Sequence, residues 1–203
     1  KQGQGRDVEF EVTGNLLDMP FDRPGTGRFY IKAPVHDVEY EFVPAALQDR
    51  NLPRWPSLKD LQGTLVFDGV SMQVLDAETG FAGHPALRMG PVKANIPDLE
   101  YPHLTLHAQG KTELQVALGL VKQSPLAVWT DRALDEAQAQ GPVHIAFDLD
   151  LPVDHLEHTK VQGRVGFDRN GLKFSAQTPW LQQLQGAVKF HDQGFELLNV
   201  QGQ

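Results

Sequence analysis

The sequence predicts a mainly β chain, built on an antiparallel sheet with one buried and one solvated face. Three observations predict it. Apolar and polar residues alternate with period two, as in Val8-Glu9-Phe10-Glu11-Val12-Thr13 and Val38-Glu39-Tyr40-Glu41-Phe42. In the run from Val143 to Leu151 every odd position is apolar, while the even ones are His144, Ala146, Asp148 and Asp150. The Gly and Pro residues, 19 and 14 in 203, exceed the usual background of about 12% and fall between these runs as turns. Parallel strands covered by helices would instead read as continuous apolar stretches.

Taken in order, strands are expected at Val8–Thr13, Arg28–Lys32, Val38–Phe42, Thr64–Phe67, Val70–Leu75, Val92–Ile96 and His103–Ala108, then at Val143–Leu151, Lys160–Phe167, Leu172–Ala176, Leu184–Phe190 and Phe195–Val200. Between the two strand-rich halves, a helical insertion is expected near 112–140. Leu114, Ala117, Leu118 and Val121 recur at helical spacing, with Thr112 as N-cap and Ser124-Pro125 as the stop. A second helix is expected over Thr130–Gln140, ended by Gly141-Pro142. The heptapeptide Leu61-Gln62-Gly63-Thr64-Leu65-Val66-Phe67 recurs from Val161 to Phe167 and from Leu184 to Phe190. This is an irregular repeat of a strand opening on a Gly bend.

Composition removes several function classes. Lys plus Arg is 18 and Asp plus Glu is 26, a formal charge of −8, which argues against a nucleic-acid partner. The absence of cysteine removes disulfides, thiolate nucleophiles and Cys-ligated metals. No apolar run reaches the length of a bilayer span. The chain begins at Lys1 and stops inside its own repeat pattern, so it reads as one β-rich domain over 1–203, a slice of a larger body.

Catalytic motifs are weak. Ser71 lacks the glycine at position 73 that a nucleophile elbow needs, and reads as a strand serine. Gly3-Gln4-Gly5 is followed by Val8 where a dinucleotide loop requires glycine. Asp154-His155-Leu156-Glu157-His158 is the densest ligand-like cluster, but Pro152 and the flanking period-two pattern place it on a hairpin rim. His103 and His107 share a strand face about 13 Å apart, too far for one ion. The pairs Glu9/Glu11, Glu39/Glu41 and Asp148/Asp150 mark wet strand faces. No catalytic residue, metal or cofactor is expected, although a hydrolase using His155 and His158 remains a third reading.

The apolar face is the informative feature. Phenylalanine and tyrosine occur on nearly every expected strand, and two short helices cannot cover them all. Either the sheet folds on itself as a sandwich, the commoner solution, or it leaves a long apolar trough, which signals a lipid or a partner.

A family resemblance bears on this choice. Ser124-Pro125-Leu126, Asp135-Glu136-Ala137, Gly141-Pro142-Val143, Leu149-Asp150-Leu151-Pro152-Val153, Val161-Gln162-Gly163 and Asn170-Gly171-Leu172 resemble, in order and spacing, the YhdP branch of the AsmA-like proteins. So do Trp55-Pro56, the Leu61–Phe67 repeat and the run from Gly90 to Leu99. Val153 departs from the Leu expected there, a conservative change. The resemblance covers nearly the whole chain, most firmly 50–200. It implies a Gram-negative envelope protein anchored in the inner membrane, with a long periplasmic body of which this chain is an interior segment. Its relatives, TamB among them, imply an elongated, curved antiparallel sheet (β-taco-like), here of roughly 11–14 strands. The implied role is passive movement of phospholipid between inner and outer membranes.

On that basis the groove lining, chosen by alternation alone, is Phe10, Val12, Val38, Tyr40, Phe42, Leu65, Phe67, Val143, Ile145, Phe147 and Leu149. The expected partners are phospholipid acyl chains, neighbouring segments of the same parent chain and other envelope proteins, with self-association through cut sheet edges. The alternative is a structural or protein-interaction module with a closed β core.

Overall fold

The computed structural model describes residues 2–5, 7–21, 23, 25–43, 45, 48–155, 158–191 and 194–203. Among them twelve strands form a single antiparallel sheet. In chain order these are β1 (Gln2–Gly5), β2 (Glu9–Gly14), β3 (Gly27–Tyr40), β4 (Leu58–Asp68), β5 (Ser71–Phe81), β6 (His84–Ile96) and β7 (His103–Glu113). The helices α1 (Leu114–Lys122) and α2 (Leu126–Trp129) follow, then β8 (Gln138–Gln140), β9 (Pro142–Pro152), β10 (Lys160–Lys173), β11 (Leu181–His191) and β12 (Gly194–Gln201). The order across the sheet is β1-β3-β4-β5-β6-β7-β9-β10-β11-β12, with β2 also on β3 and β8 also on β10. From β2 to β7 and from β9 to β12 neighbours in sequence are neighbours in space, joined in part by two-residue hairpins such as Asp68↔Ser71 around Gly69-Val70.

No second sheet packs on this one among the described residues, so the sandwich and its closed β core are replaced by an open sheet. Among the described residues, the layer that packs on it is the helical insertion between β7 and β9.

Several expected strands are fragments of longer ones, and the cause is the same each time. Arg28–Lys32 and Val38–Phe42 are expected as two strands, but β3 runs unbroken from Gly27 to Tyr40. Its register shifts between Val35 and Val38, where Asp37 takes φ 55°. A β-bulge adds one residue to a strand, so the apolar positions change from odd (Ile31, Ala33, Val35) to even (Val38, Tyr40) while staying on one face. Asp60 in β4, Asp76 in β5, Arg169 in β10, Gln183 in β11 and Asn199 in β12 take the same left-handed conformation beside register shifts. The Asp76 bulge hides the far half of β5 from a period-two reading, and the shift between Met89 and Val92 hides the first half of β6. Leu172 belongs to β10 for the same reason. The β7–β9 pair, by contrast, runs eleven residues in register, from His103↔Pro152 to Glu113↔Pro142. Bulges bend and twist the strands that carry them, so bent strands flank a regular centre.

The insertion departs from expectation in two places. α1 starts at Leu114 with Glu113 as N-cap and no side-chain cap bond. Thr112 lies within β7 instead, its Oγ1 donating to the Ala86 carbonyl at 3.3 Å. The helix expected over Thr130–Gln140 does not form. α2 ends at Trp129, Asp131 and Arg132 take positive φ, and Gln138–Gln140 is the strand β8, paired with Lys173–Gly171 of β10. Pairing and the burial of Ala137 and Ala139 outweigh the helix propensity of that Ala- and Gln-rich stretch.

The core is small and lies where the helices cover the sheet. Leu114 and Leu118 of α1 pack with Ala137, Ala139 and Val143. Beside them Leu87, Met89 and Ala108 are buried, with Val116 and Leu120 of α1 against them.

Candidate functional site: the apolar face

Directly opposed residues of an antiparallel pair point to the same side of the sheet. The pairing therefore decides which residues share a face. Phe10 faces Ile31 and Val12 faces Phe29. Ile31 faces Phe67, Ala33 faces Leu65, Val38 faces Leu61 and Tyr40 faces Leu58. Phe67 continues to Met72 and Leu65 to Val74, then Met72 to Ile96 and Val74 to Ala94. Ala94 faces Leu106, and Leu106 faces Leu149. Leu149, Phe147, Ile145 and Val143 of β9 then meet Val161, Gly163, Val165 and Phe167 of β10. Beyond β10, Val188 and Phe190 oppose Leu197 and Phe195. One apolar face thus runs from β2 to β12. Ten of the eleven residues chosen by alternation lie on it. Phe42 lies just past β3, in the β3–β4 connection, packed on Trp55 with ring centroids 5.7 Å apart.

This face has two unequal halves. At the end of the strands where β7 stops and β9 starts, α1 lies over it. Val143 is fully buried there, and Ile145 and Phe147 pack against the core. At the opposite, far end no helix covers it among the described residues. Leu104, Leu106, Leu149 and Leu151 are half-buried, and at the two margins Phe10 is 66% and Phe195 72% exposed. Alternation identified the face. It could not separate Val143, which is covered, from Leu149, which is open, because the covering helix comes from elsewhere in the chain.

The opposite face is a lattice of cross-strand charge pairs. Lys32 Nζ lies 3.2 Å from Glu9, Arg28 Nη1 lies 3.2 Å from Glu11, and Lys59 Nζ lies 2.8 Å from Glu39. The Lys59 ammonium holds the Glu39 carboxyl below its ordinary value. His107 Nδ1 is 2.7 Å from Asp148, and His103 Nε2 is 2.9 Å from Asp150. A shallow recess of about 660 Å³ lies on this polar side, its wall including Lys93, His107, Asp148 and Lys160. Of the carboxylates read from sequence as wet-face residues, Glu9, Glu11, Glu39, Asp148 and Asp150 are accordingly engaged with cations or histidines across strands. These pairs are solvent-exposed, so each adds little to stability.

Among the described residues the other sequence candidates are not brought together into a reaction centre. Ser71 Oγ donates to the Asp68 carbonyl at 2.9 Å, closing the β4–β5 hairpin. The rings of His155 and His158 lie 5.8 Å apart, and Leu156 and Glu157 between them fall outside the described residues. Among the described residues no three His, Asp or Glu side chains are grouped as metal ligands, and no helix is long and apolar enough to cross a membrane.

Comparison with known proteins bears on what such a face is for. The family model described as "YhdP protein" matches residues 1–203. The intermembrane phospholipid transporter YhdP of Escherichia coli (strain K12) is 24% identical over 190 residues, covering 93% of this chain. The chain spans 14% of that relative's length. No solved structure matches.

Proposed function

This chain belongs to the YhdP family, and from that premise we propose that it is one segment of a bridge-like protein that moves phospholipid between the inner and outer membranes along its apolar face. The observation that carries this reading is the continuity of that face from β2 to β12, with its far half uncovered among the described residues. Exposing an acyl chain to water costs about 0.8 kcal/mol per CH₂. A lining of Leu, Ile, Val and Phe removes most of that cost while forming no deep well in which a lipid would stall. Such a conduit works without enzymatic chemistry, because nothing is made or broken. The charged lattice on the other side keeps the sheet in water.

The E. coli relative is described as an intermembrane phospholipid transporter, and this supports phospholipid as cargo here. In the same reading the segment lies in the periplasm, within a parent anchored in the inner membrane, and its outer strands β1 and β12 adjoin neighbouring segments of that parent. A closed-core interaction module would need a second layer over the far half, and the insertion covers the other half only.

Lipid extraction tests the proposal. The purified 203-residue chain is expected to carry phospholipid, detected by mass spectrometry after organic extraction and lost when the apolar face is made charged. A chain that carries none, and takes none up from phosphatidylethanolamine–phosphatidylglycerol vesicles, overturns it.

A further inference from the structure

The insertion is held at two places, and they lie on different sides of the sheet's middle. At its root, α1 is tied to its own return strand. The backbone N–H of Ala139 donates to Gln115 Oε1 at 2.8 Å, and Lys122 Nζ donates to the Ala137 carbonyl at 2.6 Å. Since β8 is itself paired with β10, these two bonds and the burial of Leu114 and Leu118 fasten α1 to the sheet. At its tip, Trp129 stands edge-on to Trp55, with ring centroids 5.7 Å apart, and Trp55 lies 5.7 Å from Phe42.

Trp55 and Phe42 belong to the β3–β4 connection, which Gln48 fastens. Its Nε2 donates to the Val43 carbonyl at 2.8 Å, and its Oε1 accepts from the Trp55 backbone N–H at 2.9 Å. In the sheet order, β5, β6, β7 and β9 stand between β4 and the β8–β10 pair. The insertion therefore reaches over four strands, and both of its ends are fastened.

We propose that the insertion is a fixed crossbar on the trough. It shuts the helix-covered half of the apolar face to lipid. Through the contact of Trp129 with Trp55 it also holds the β3–β4 side of the sheet in position, so that lipid passing this segment keeps to one lane lined by Leu104, Leu106, Leu149 and Leu151. The lane rests on the lipid-transfer reading above; the bracing does not. Edge-to-face aromatic pairs attract beyond the area they bury, which holds the loop against the insertion. Trp129 is 63% exposed although it makes this contact. Removing it leaves the core of α1 in place.

Two experiments separate the parts. Phosphatidylglycerol vesicles containing a phospholipid with an acyl-chain diazirine are irradiated with the 203-residue chain, and adducts are mapped by mass spectrometry. Adducts on the four lane leucines, with none on Leu114, Leu118 or Val143, support the lane. Adducts on α1 or Val143 overturn the crossbar and leave lipid transfer standing, whereas no adduct anywhere overturns the lipid reading and the lane with it. For the bracing, the absence of cysteine allows spin labels at N51C in the β3–β4 connection and Q138C in β8, with their separation read by double electron–electron resonance. W129A is expected to broaden a narrow distance distribution and W129F to restore it. A distribution that W129A leaves unchanged overturns the bracing.

Discussion

The side chain of Asn170 encloses Gly141: its Nδ2 donates to the carbonyls of Gln140 at 3.1 Å and Pro142 at 3.0 Å, one on either side of that glycine. Its Oδ1 accepts from the Asp168 backbone N–H at 2.7 Å. Asn170 is fully buried, and all of its bonds serve the backbone. Gly141 takes φ 90°, and a Cβ there would stand 2.9 Å from Asn170 Nδ2. The pair fixes the turn by which the chain leaves β8 for β9, and so seats the insertion on the sheet.

Loss of this side chain removes three part-buried hydrogen bonds to the backbone, each worth about 0.5–1.5 kcal/mol. Asn170→Ala is expected to lower unfolding stability by about 3 kcal/mol. Asn170→Asp is expected to cost more, since a carboxylate would face two carbonyl oxygens. Urea denaturation followed by circular dichroism measures both. A loss under about 1 kcal/mol for either variant would show that the turn holds without the bonds.

Leu149 and Asp148 test the face assignment, because adjacent strand residues point to opposite sides. Leu149→Asp puts a charge into the open apolar face and is expected to reduce bound phospholipid about tenfold or more. Asp148→Asn, on the polar side beside His107, is expected to leave it unchanged. Quantifying extracted lipid for the two variants decides the matter, and equal losses would mean that alternation does not define the binding face.

The acid response of stability carries a signature of Glu39. Its carboxyl is held below the ordinary 4.5 by Lys59, with the Ser57 hydroxyl 3.4 Å away adding to the effect. A carboxyl with a depressed folded pKa adds stability above its unfolded value and loses it as pH falls through the folded one. The contribution of Glu39 is therefore present at neutral pH and lost below about 4.5. Lys59→Met is expected to raise the Glu39 midpoint in a carboxyl NMR titration and to flatten the fall of Tm on the acid side. An unmoved midpoint would remove Lys59 as the cause.

At the β12 edge, Phe195 and Leu197 are 72% and 62% exposed, and strand edges template further pairing. The isolated chain is expected to self-associate with rising concentration in sedimentation velocity. The double variant Phe195→Lys, Leu197→Lys is expected to remain monomeric under the same conditions. A wild-type chain that stays monomeric throughout would contradict the edge as an association site.

Much of the apolar face was legible from alternation, because side-chain direction in a strand is a local property with period two. The repeat glycine at 163 was visible too, but its reason was not. A Cβ there would collide with the Phe190 ring of β11, a contact that exists only once β10 and β11 pair. Where a bulge intervenes, as at Asp37 and Asp76, the apolar positions change parity and a local reading breaks one strand into two or loses its second half. Helix propensity likewise misread Gln138–Gln140, because a strand exists only where a partner is present, and that partner is Gly171–Lys173.

The sequence by itself determined that this chain makes an antiparallel sheet, wet on one side and apolar on the other, with helices inserted near its middle. Those properties follow from the order of side chains along the backbone. The tertiary structure alone decided that the sheet stays open, that α1 covers Val143 and leaves Leu149 accessible, and that Trp129 reaches Trp55. Each of these depends on contacts between residues far apart in the chain, whose meeting is set by strand pairing, bulges and burial together rather than by any local pattern.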